Sequence, residues 1–194
     1  MVRAVIFDFF GVLVTEGFKQ FREEYFANDK PKDRQAIDLI NQVDSGFIDG
    51  HEFKTKLAEL AGVTSETVGE LLGNNKPNKQ LLDYIKNELK GHYKVSILSN
   101  SSEDYPHQLL GEDADLFDDI LLSYKYGLLK PQQEIYELAA ERLGVDTTEC
   151  LFTDDSEGHC KGAERAGMKT IYYQNFSQFK TDLEQLLQSA PADN

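Results

Sequence analysis

Two hydrophobic rhythms divide this chain. Residues Val2 to Phe7 are apolar but for Arg3, which suits a parallel strand covered on both faces. From Thr15 to about Asn78 the period becomes helical. Phe18, Phe21 and Tyr25 share one face in a charged background, as do Ile37, Ile40 and Val43, with Pro31 in that helix's first turn. Phe53, Leu57 and Leu60 mark a third helix stopped by Gly62. Val68, Leu71 and Leu72 mark a short fourth before the break Gly73-Asn74-Asn75-Lys76-Pro77. Beyond Pro77, helix and strand alternate. Leu81, Leu82, Ile85 and Leu89 stripe a helix closed by Gly91, and Lys94 to Leu98 is a strand. A short helix fits Pro106 to Leu110, and Ile120 to Ser123 is the next strand. Pro131 starts a helix with Ile135, Leu138, Ala139 and Leu143 inward and Gly144 as its stop. Cys150 to Thr153 and Thr170 to Tyr173 are further strands, and Phe176, Phe179, Leu183 and Leu186 stripe a final helix.

This alternation predicts an α/β fold built on a doubly wound parallel sheet. The helical stretch follows the first strand, and a lone strand needs partners from beyond it, so the stretch reads as an insertion. The expected organisation is a core of residues 1–14 and 79–194 carrying an all-helical cap of residues 15–78. The last residues, Ser189 to Asn194, read as a loose tail.

Composition narrows the partners. The chain has 194 residues, enough for one good core or a core plus a small appendage. Its 34 acidic and 20 basic residues leave a formal net charge of -14. Such a surface repels nucleic-acid phosphates and anionic membranes, and both are set aside. A small anionic substrate is still accessible where a metal, a cation or a helix N-terminus reverses the local field. No stretch approaches the ~20 apolar residues of a membrane span. Two cysteines, Cys150 and Cys160, make no disulfide framework and fit reduced thiols in a cytoplasm.

Chemistry gathers at the strand ends. Asp8 follows the first strand, Ser99-Asn100-Ser101 the second, and Asp154-Asp155 the strand from Cys150. Lys130 stands in the connection before Pro131. Each has an ordinary reading alone: a turn residue, a helix cap, a solvated lysine and a second cap. Parallel strands bring all four to one sheet edge, where open α/β sheets bind ligands. Three close carboxyl groups repel unless a cation sits among them, and an all-oxygen donor set points to Mg²⁺. Metal, ammonium and hydroxyl around a nucleophilic Asp form a logical site for phosphoryl transfer through an aspartyl-phosphate.

The order Asp, Ser, Lys-Pro, Asp-Asp resembles the haloacid dehalogenase (HAD) superfamily. FDFFGVLV resembles its first motif, SILSNS its second, GLLKPQQEIYELAAERLGV its third and LFTDDSEGHCKGAERAGM its fourth. The Asp-Asp form of the fourth motif resembles a phosphatase-rich branch with a helical cap after the first strand. The stretch from Asp44 to Phe53 resembles that cap's loop facing the active site. The resemblance implies a HAD-like Rossmannoid core and hydrolysis of a small phosphorylated metabolite. It implies Asp8 as nucleophile, Ser99 and Asn100 with Lys130 as substrate-binding groups, and Lys130 as charge balance. It also implies Mg²⁺ held by Asp8, the Phe10 backbone carbonyl, Asp155 and Asp154.

Phe10 departs from this pattern. Family phosphatases carry an Asp two residues after the nucleophile as general acid and base, a role worth on the order of 10²–10⁴ in rate. Phe10 retains only the carbonyl. Haloacid dehalogenases have an aromatic residue here, because halide leaves unprotonated, but they lack the Asp-Asp pair. Three readings therefore stand: a phosphatase without the usual acid, a 2-haloacid dehalogenase-like hydrolase, and a catalytically impaired phospho-ligand-binding or regulatory protein. His51, Asp49 and Glu52 read as a polar loop and helix start rather than a replacement acid. His159, where relatives often carry Asn, reads as a partly exposed helix histidine.

Overall fold

A computed structural model describes residues 1–188; the expected tail from Ser189 to Asn194 lies outside the described residues. Five parallel strands form the sheet: β1 (Ala4–Phe7), β2 (Lys94–Ser99), β3 (Asp119–Leu122), β4 (Cys150–Asp154) and β5 (Lys169–Tyr172), in the order β3-β2-β1-β4-β5. β1 is central, with Phe7 opposite Ile97 of β2 and Thr153 of β4. Its side chains alternate between two cores. Val5 and Phe7 join one and Ala4 and Ile6 the other, which is why its apolar run carries little alternation.

The helices are α1 (Gly17–Phe26), α2 (Lys30–Asp44), α3 (Gly50–Ala61), α4 (Ser65–Gly73), α5 (Lys79–Tyr84), α6 (Tyr105–Leu110), α7 (Gln133–Leu143), α8 (Glu157–Arg165) and α9 (Phe176–Gln188). The last turn after α5 widens into a π-helix, Ile85–Leu89. On one sheet face, Leu81 and Ile85 pack with Phe179 and Leu183. On the other, Ile135, Tyr136 and Ala139 pack with Ala163. The sheet is thus wound on both sides. No described helix is long and apolar enough to cross a membrane.

The helices α1 to α4 surround a hydrophobic cluster of their own, built on Phe21, Phe26, Val43, Phe53, Leu57 and Val68. The chain leaves the sheet and returns to it side by side. Val14 bridges Pro77, Thr15 N–H donates to the Lys76 carbonyl at 3.0 Å, and Asn78 N–H donates to the Leu13 carbonyl at 2.8 Å. Asn78 also caps α5 and reaches the Val12 carbonyl and the Tyr173 hydroxyl.

Several boundaries differ from expectation. β1 begins at Ala4 rather than Val2, and β3 and β5 each begin and end one residue earlier than expected. α7 begins at Gln133, not at Pro131. Asn100 holds both main-chain polar groups of Lys130, accepting from its N–H at 2.9 Å and donating to its carbonyl at 3.1 Å. The Gln132 side chain then accepts from Leu129 N–H at 2.8 Å. Lys130-Pro131, a cis peptide, therefore belongs to a turn fastened to the end of β2. Short 3₁₀ segments at Gly111–Leu116, Ser123–Lys125 and Thr147–Glu149 carried no periodic signal.

Candidate active site

Three strands end at one point. Asp8 follows β1, and its N–H donates to the Thr153 carbonyl at 2.9 Å, locking it beside β4. Asp154 ends β4 with its side chain wholly buried. Asp155 follows, and Asp8, Asp154 and Asp155 each offer an oxygen within 4.8 Å of the others. Lys130 Nζ lies 2.6 Å from Asp8 and 2.7 Å from Asp154, and 5.4 Å from the centre of the Phe152 ring.

The charges set each other's ionisation. Burial and the neighbouring Asp154 push the Asp8 carboxyl well above the usual range, with Lys130 opposing. Burial also works against the Asp154 carboxylate, but Lys130 and His159 outweigh it and bring its pKa down to about 2. Burial alone would lower the Lys130 pKa; the two carboxylates reverse this and hold the ammonium charged. Three carboxyl groups thus face one buried ammonium. That all-oxygen set, short of positive charge, fits a hard divalent cation.

Backbone geometry fits as well. Gly11 turns the chain at φ +88°, and a Cβ there would lie 2.6 Å from the Asp155 carboxylate. Only glycine lets the first loop and Asp155 approach so closely. The Phe10 carbonyl accepts no hydrogen bond among the described residues. Gly162 plays a similar part in α8, where a Cβ would meet Pro131 at 2.8 Å; this contact seats α8 against the Lys130 turn.

A cavity of about 560 Å³ opens above these groups, between the sheet edge and the helices α1 to α4. Asp8, Lys130, Asp155 and His159 line its floor, with Asn100 and Ser101 beside them. Ser99 is the last residue of β2; its buried hydroxyl donates to the Asn100 carbonyl at 3.3 Å, behind that lining. The Phe10 ring forms part of the wall. It packs edge-on against Phe9 at 4.9 Å and Tyr105 at 5.5 Å between ring centres.

The structure therefore brings Asp8, Lys130, Asp154 and Asp155 together, with Phe10, Ser99 and Asn100 beside them. The Asn100 amide is committed to the Lys130 main chain, a positioning contact that spacing could not reveal. His159 is not an idle helix histidine: its Nδ1 lies 3.0 Å from one Asp154 oxygen and 3.1 Å from the other. One turn of α8 carries it back over the end of β4, where the Ser156 cap starts the helix. His51 is exposed, Asp49 caps α3 at the Glu52 N–H, and Glu52 pairs with Lys56 at 2.8 Å. These three stay outside the cavity lining, in keeping with a polar loop and helix start. Three cavity groups escaped that reading. Lys19 of α1 pairs with Asp155 at 3.2 Å. Burial and Asp155 push the Glu16 carboxyl up to about 7 against Lys19, and burial pushes Asp44 up to about 7 against Lys130. Asp44 lay in the loop already singled out; Glu16 carried no signal at all.

A parallel 3-2-1-4-5 sheet with carboxylates and a lysine at its carboxyl edge places the chain among the Rossmann-like α/β proteins. Within that class it belongs to the haloacid dehalogenase-like hydrolase family, whose profile matches residues 2–167. It is 26% identical to the D-ribitol-5-phosphate phosphatase of Bacteroides thetaiotaomicron over 97% of this chain and 100% of that protein. A phosphatase of Mycobacterium tuberculosis is 36% identical over 51% of this chain and 47% of its own length. A HAD-family enzyme of B. thetaiotaomicron, solved with magnesium and inorganic phosphate, superposes with a TM-score of 0.69 at 25% identity, covering 92% of this chain and 99% of that one. A dehalogenase solved as an intermediate complex shares the fold, with a TM-score of 0.65 at 20% identity over 87% of this chain and 83% of that one.

Proposed function

We propose that this protein is a Mg²⁺-dependent hydrolase of small phosphate monoesters, working through an aspartyl-phosphate on Asp8. The observation that carries the reading is the buried Lys130 bridging Asp8 and Asp154 with Asp155 beside them. Relatives named as phosphatases over nearly the full chain, and a neighbour solved with magnesium and phosphate, support it.

In this reading Asp8, Asp154, Asp155 and the Phe10 carbonyl would hold Mg²⁺, which when bound neutralises the phosphoryl oxygens and keeps Asp8 ionised. Asp8 attacks phosphorus, and the ester oxygen leaves on the opposite face. Lys130 offsets the charge that accumulates between Asp8 and the phosphoryl group. Asp154 and Asn100 fix Lys130, one at its ammonium and the other at its main chain, and His159 steadies Asp154. Asn100 and Lys130 make up the phosphoryl-binding edge, with Ser99 close behind them at the end of β2, where a turn of its hydroxyl would bring it to the phosphoryl group. Residues 15–78 serve as a cap on a core of residues 1–14 and 79–194, closing the cavity over the substrate. The dehalogenase-like reading draws on Phe10. The paired Asp154 and Asp155 beside Asp8 weigh against it, as does the intact Asp8–Lys130 contact against an impaired regulatory module.

The test is a phosphate-ester panel assayed with Mg²⁺ and with chelator, comparing wild type and Asp8→Asn. Mg²⁺-dependent phosphate release that Asp8→Asn abolishes is expected. Equal activity in the variant refutes the nucleophile assignment. Halide release from 2-haloacids in place of phosphate release refutes the phosphatase reading.

A further inference from the structure

Phe10 leaves the proposed chemistry without a proton donor for the departing oxygen. We propose that Asp44, the last residue of α2, is the general acid and base of this site. The inference rests on the phosphatase reading and deepens it. The direction of attack decides where such a group must stand. Asp8 approaches phosphorus from the sheet edge, so the leaving oxygen departs toward the helices α1 to α4, and the hydrolytic water later enters from the same side. The donor must therefore come from the far wall of the cavity.

Besides Asp8 and Asp155, three carboxyl groups line that cavity: Glu16, Asp44 and Glu103. Glu103 is exposed. Glu16 couples chiefly to Asp155 and Lys19, on the metal side, where a bound cation would keep it ionised. Asp44 lines the cavity together with Phe10, Tyr105 and Lys130. Its carboxyl interacts electrostatically with Lys130 and Tyr105, whose ring packs on Phe10. Its main chain ends α2 close to the loop that follows β3. The Ser123 hydroxyl accepts from Ser101 N–H at 2.9 Å and donates to the Ser101 carbonyl at 3.1 Å, with the Asp44 carbonyl at 3.4 Å. The Asp44 carboxyl makes no hydrogen bond among the described residues. A half-buried acid with a free carboxyl, lining the same cavity as the ring that replaces the usual acid, is placed to exchange a proton with the ester oxygen. Burial holds part of it protonated near neutrality, with Lys130 opposing, which suits a group that gives and then takes a proton.

The steps balance. As Asp8 Oδ bonds to phosphorus and the P–OR bond breaks, the Asp44 proton passes to the leaving oxygen, giving ROH and a carboxylate. Water then attacks the aspartyl-phosphate and its proton passes to Asp44. The P–O bond to Asp8 breaks, releasing phosphate and restoring both groups.

The experiment uses leaving-group dependence. Wild type, Asp44→Asn and Glu16→Gln are compared on an alkyl phosphate and on 2,4-dinitrophenyl phosphate, whose phenolate leaves unprotonated. Asp44→Asn is expected to lose about 10²–10³ in kcat/KM on the alkyl ester. It should retain a stoichiometric dinitrophenolate burst, followed by slow turnover. The ratio of the two substrates on one preparation cancels any loss of folded protein. Calorimetric Mg²⁺ affinity should match wild type. An active wild type with an unchanged substrate ratio in Asp44→Asn overturns this inference alone, as does the same signature in Glu16→Gln instead, or a tenfold loss of Mg²⁺ affinity in Asp44→Asn. A wild type that turns over neither ester overturns the phosphatase reading with it.

Discussion

Lys130→Met keeps the aliphatic stem and deletes the ammonium. That ammonium lies 2.6 Å from Asp8 and 2.7 Å from Asp154, on a side chain 1% exposed. Removing one partner of a buried ion pair costs about 3–5 kcal/mol. Asp154 supplies an independent floor. Its folded pKa of about 2 lies below its unfolded value because Lys130 and His159 outweigh burial. A depressed carboxylate contributes stability above its unfolded pKa and loses it as pH falls through the folded one. At roughly 1.4 kcal/mol per pKa unit, the Asp154 share at neutral pH is about 2–3 kcal/mol, much of it owed to Lys130. Urea unfolding of chelator-treated protein measures the deficit of Lys130→Met. It should be about 3–5 kcal/mol at pH 7. The Asp154 share should fall by roughly half between pH 5 and pH 3, where wild type surrenders the same contribution. Mg²⁺ should restore part of the neutral-pH deficit, because a cation binds folded carboxylates that have lost their own. A variant that unfolds with wild type at pH 7, or whose deficit is the same at pH 5 and pH 3, would refute the electrostatic account.

Two further outcomes follow from contacts already described. Gly11→Ala forces a side chain to φ +88° and drives its Cβ to 2.6 Å from Asp155; it should cost about 1–2 kcal/mol of backbone strain and weaken Mg²⁺ binding by at least tenfold in calorimetry. The strain alone, with Mg²⁺ affinity unchanged, would show that Asp155 is no ligand. Asn100→Ala removes both hydrogen bonds to the Lys130 main chain. It should cost about 1–3 kcal/mol and lower kcat more than it raises KM, because the ammonium is misplaced rather than lost. Aspartate at position 100, which keeps the acceptor for Lys130 N–H, should recover part of the rate.

The fold was legible because its signals are local. An apolar run before Asp8, alternating helix and strand after Pro77, and glycine stops at Gly62 and Gly144 are all short-range statements, and strand order then follows from packing. The site was legible where strand ends deliver residues, since a parallel sheet converts four separate positions into one cluster. What stayed hidden depends on side-chain direction. His159 reaches Asp154 only because the Ser156 cap sets the phase of α8. Asn100 clamps Lys130 only because β2 and the turn at Pro131 meet. Pro131 itself misled because a proline near a helical pattern is ordinarily read as the helix start, and the Asn100 clamp holds it out of α7. Glu16 and Asp44 are two carboxyls among 34 acidic residues; burial alone distinguishes them, and burial is a property of the folded chain.

Phe10 separates two functions that one side-chain position usually combines. In the proposed site the metal would take its carbonyl, which any residue provides, while proton transfer needs the side chain, which phenylalanine cannot supply. The substitution also changes the wall. Phe10 packs against Phe9 and Tyr105, so the place of a charged carboxylate beside Asp8 is taken by an aromatic edge. Removing that charge lessens the repulsion around Asp8 when Asp8 and Asp154 already share one ammonium. It also leaves the cavity that Asp44 lines without a competing acid at position 10 on the sheet edge. The residue that removes the acid from the sheet edge thus leaves the proposed acid on α2 as the remaining donor. Phe10→Asp would reverse both effects: a second carboxylate would return to the edge, and the steep leaving-group dependence of Asp44→Asn should flatten in the double variant. If the double variant remains as steep as Asp44→Asn, position 10 is not an alternative source of the proton, and this coupling between the two positions fails.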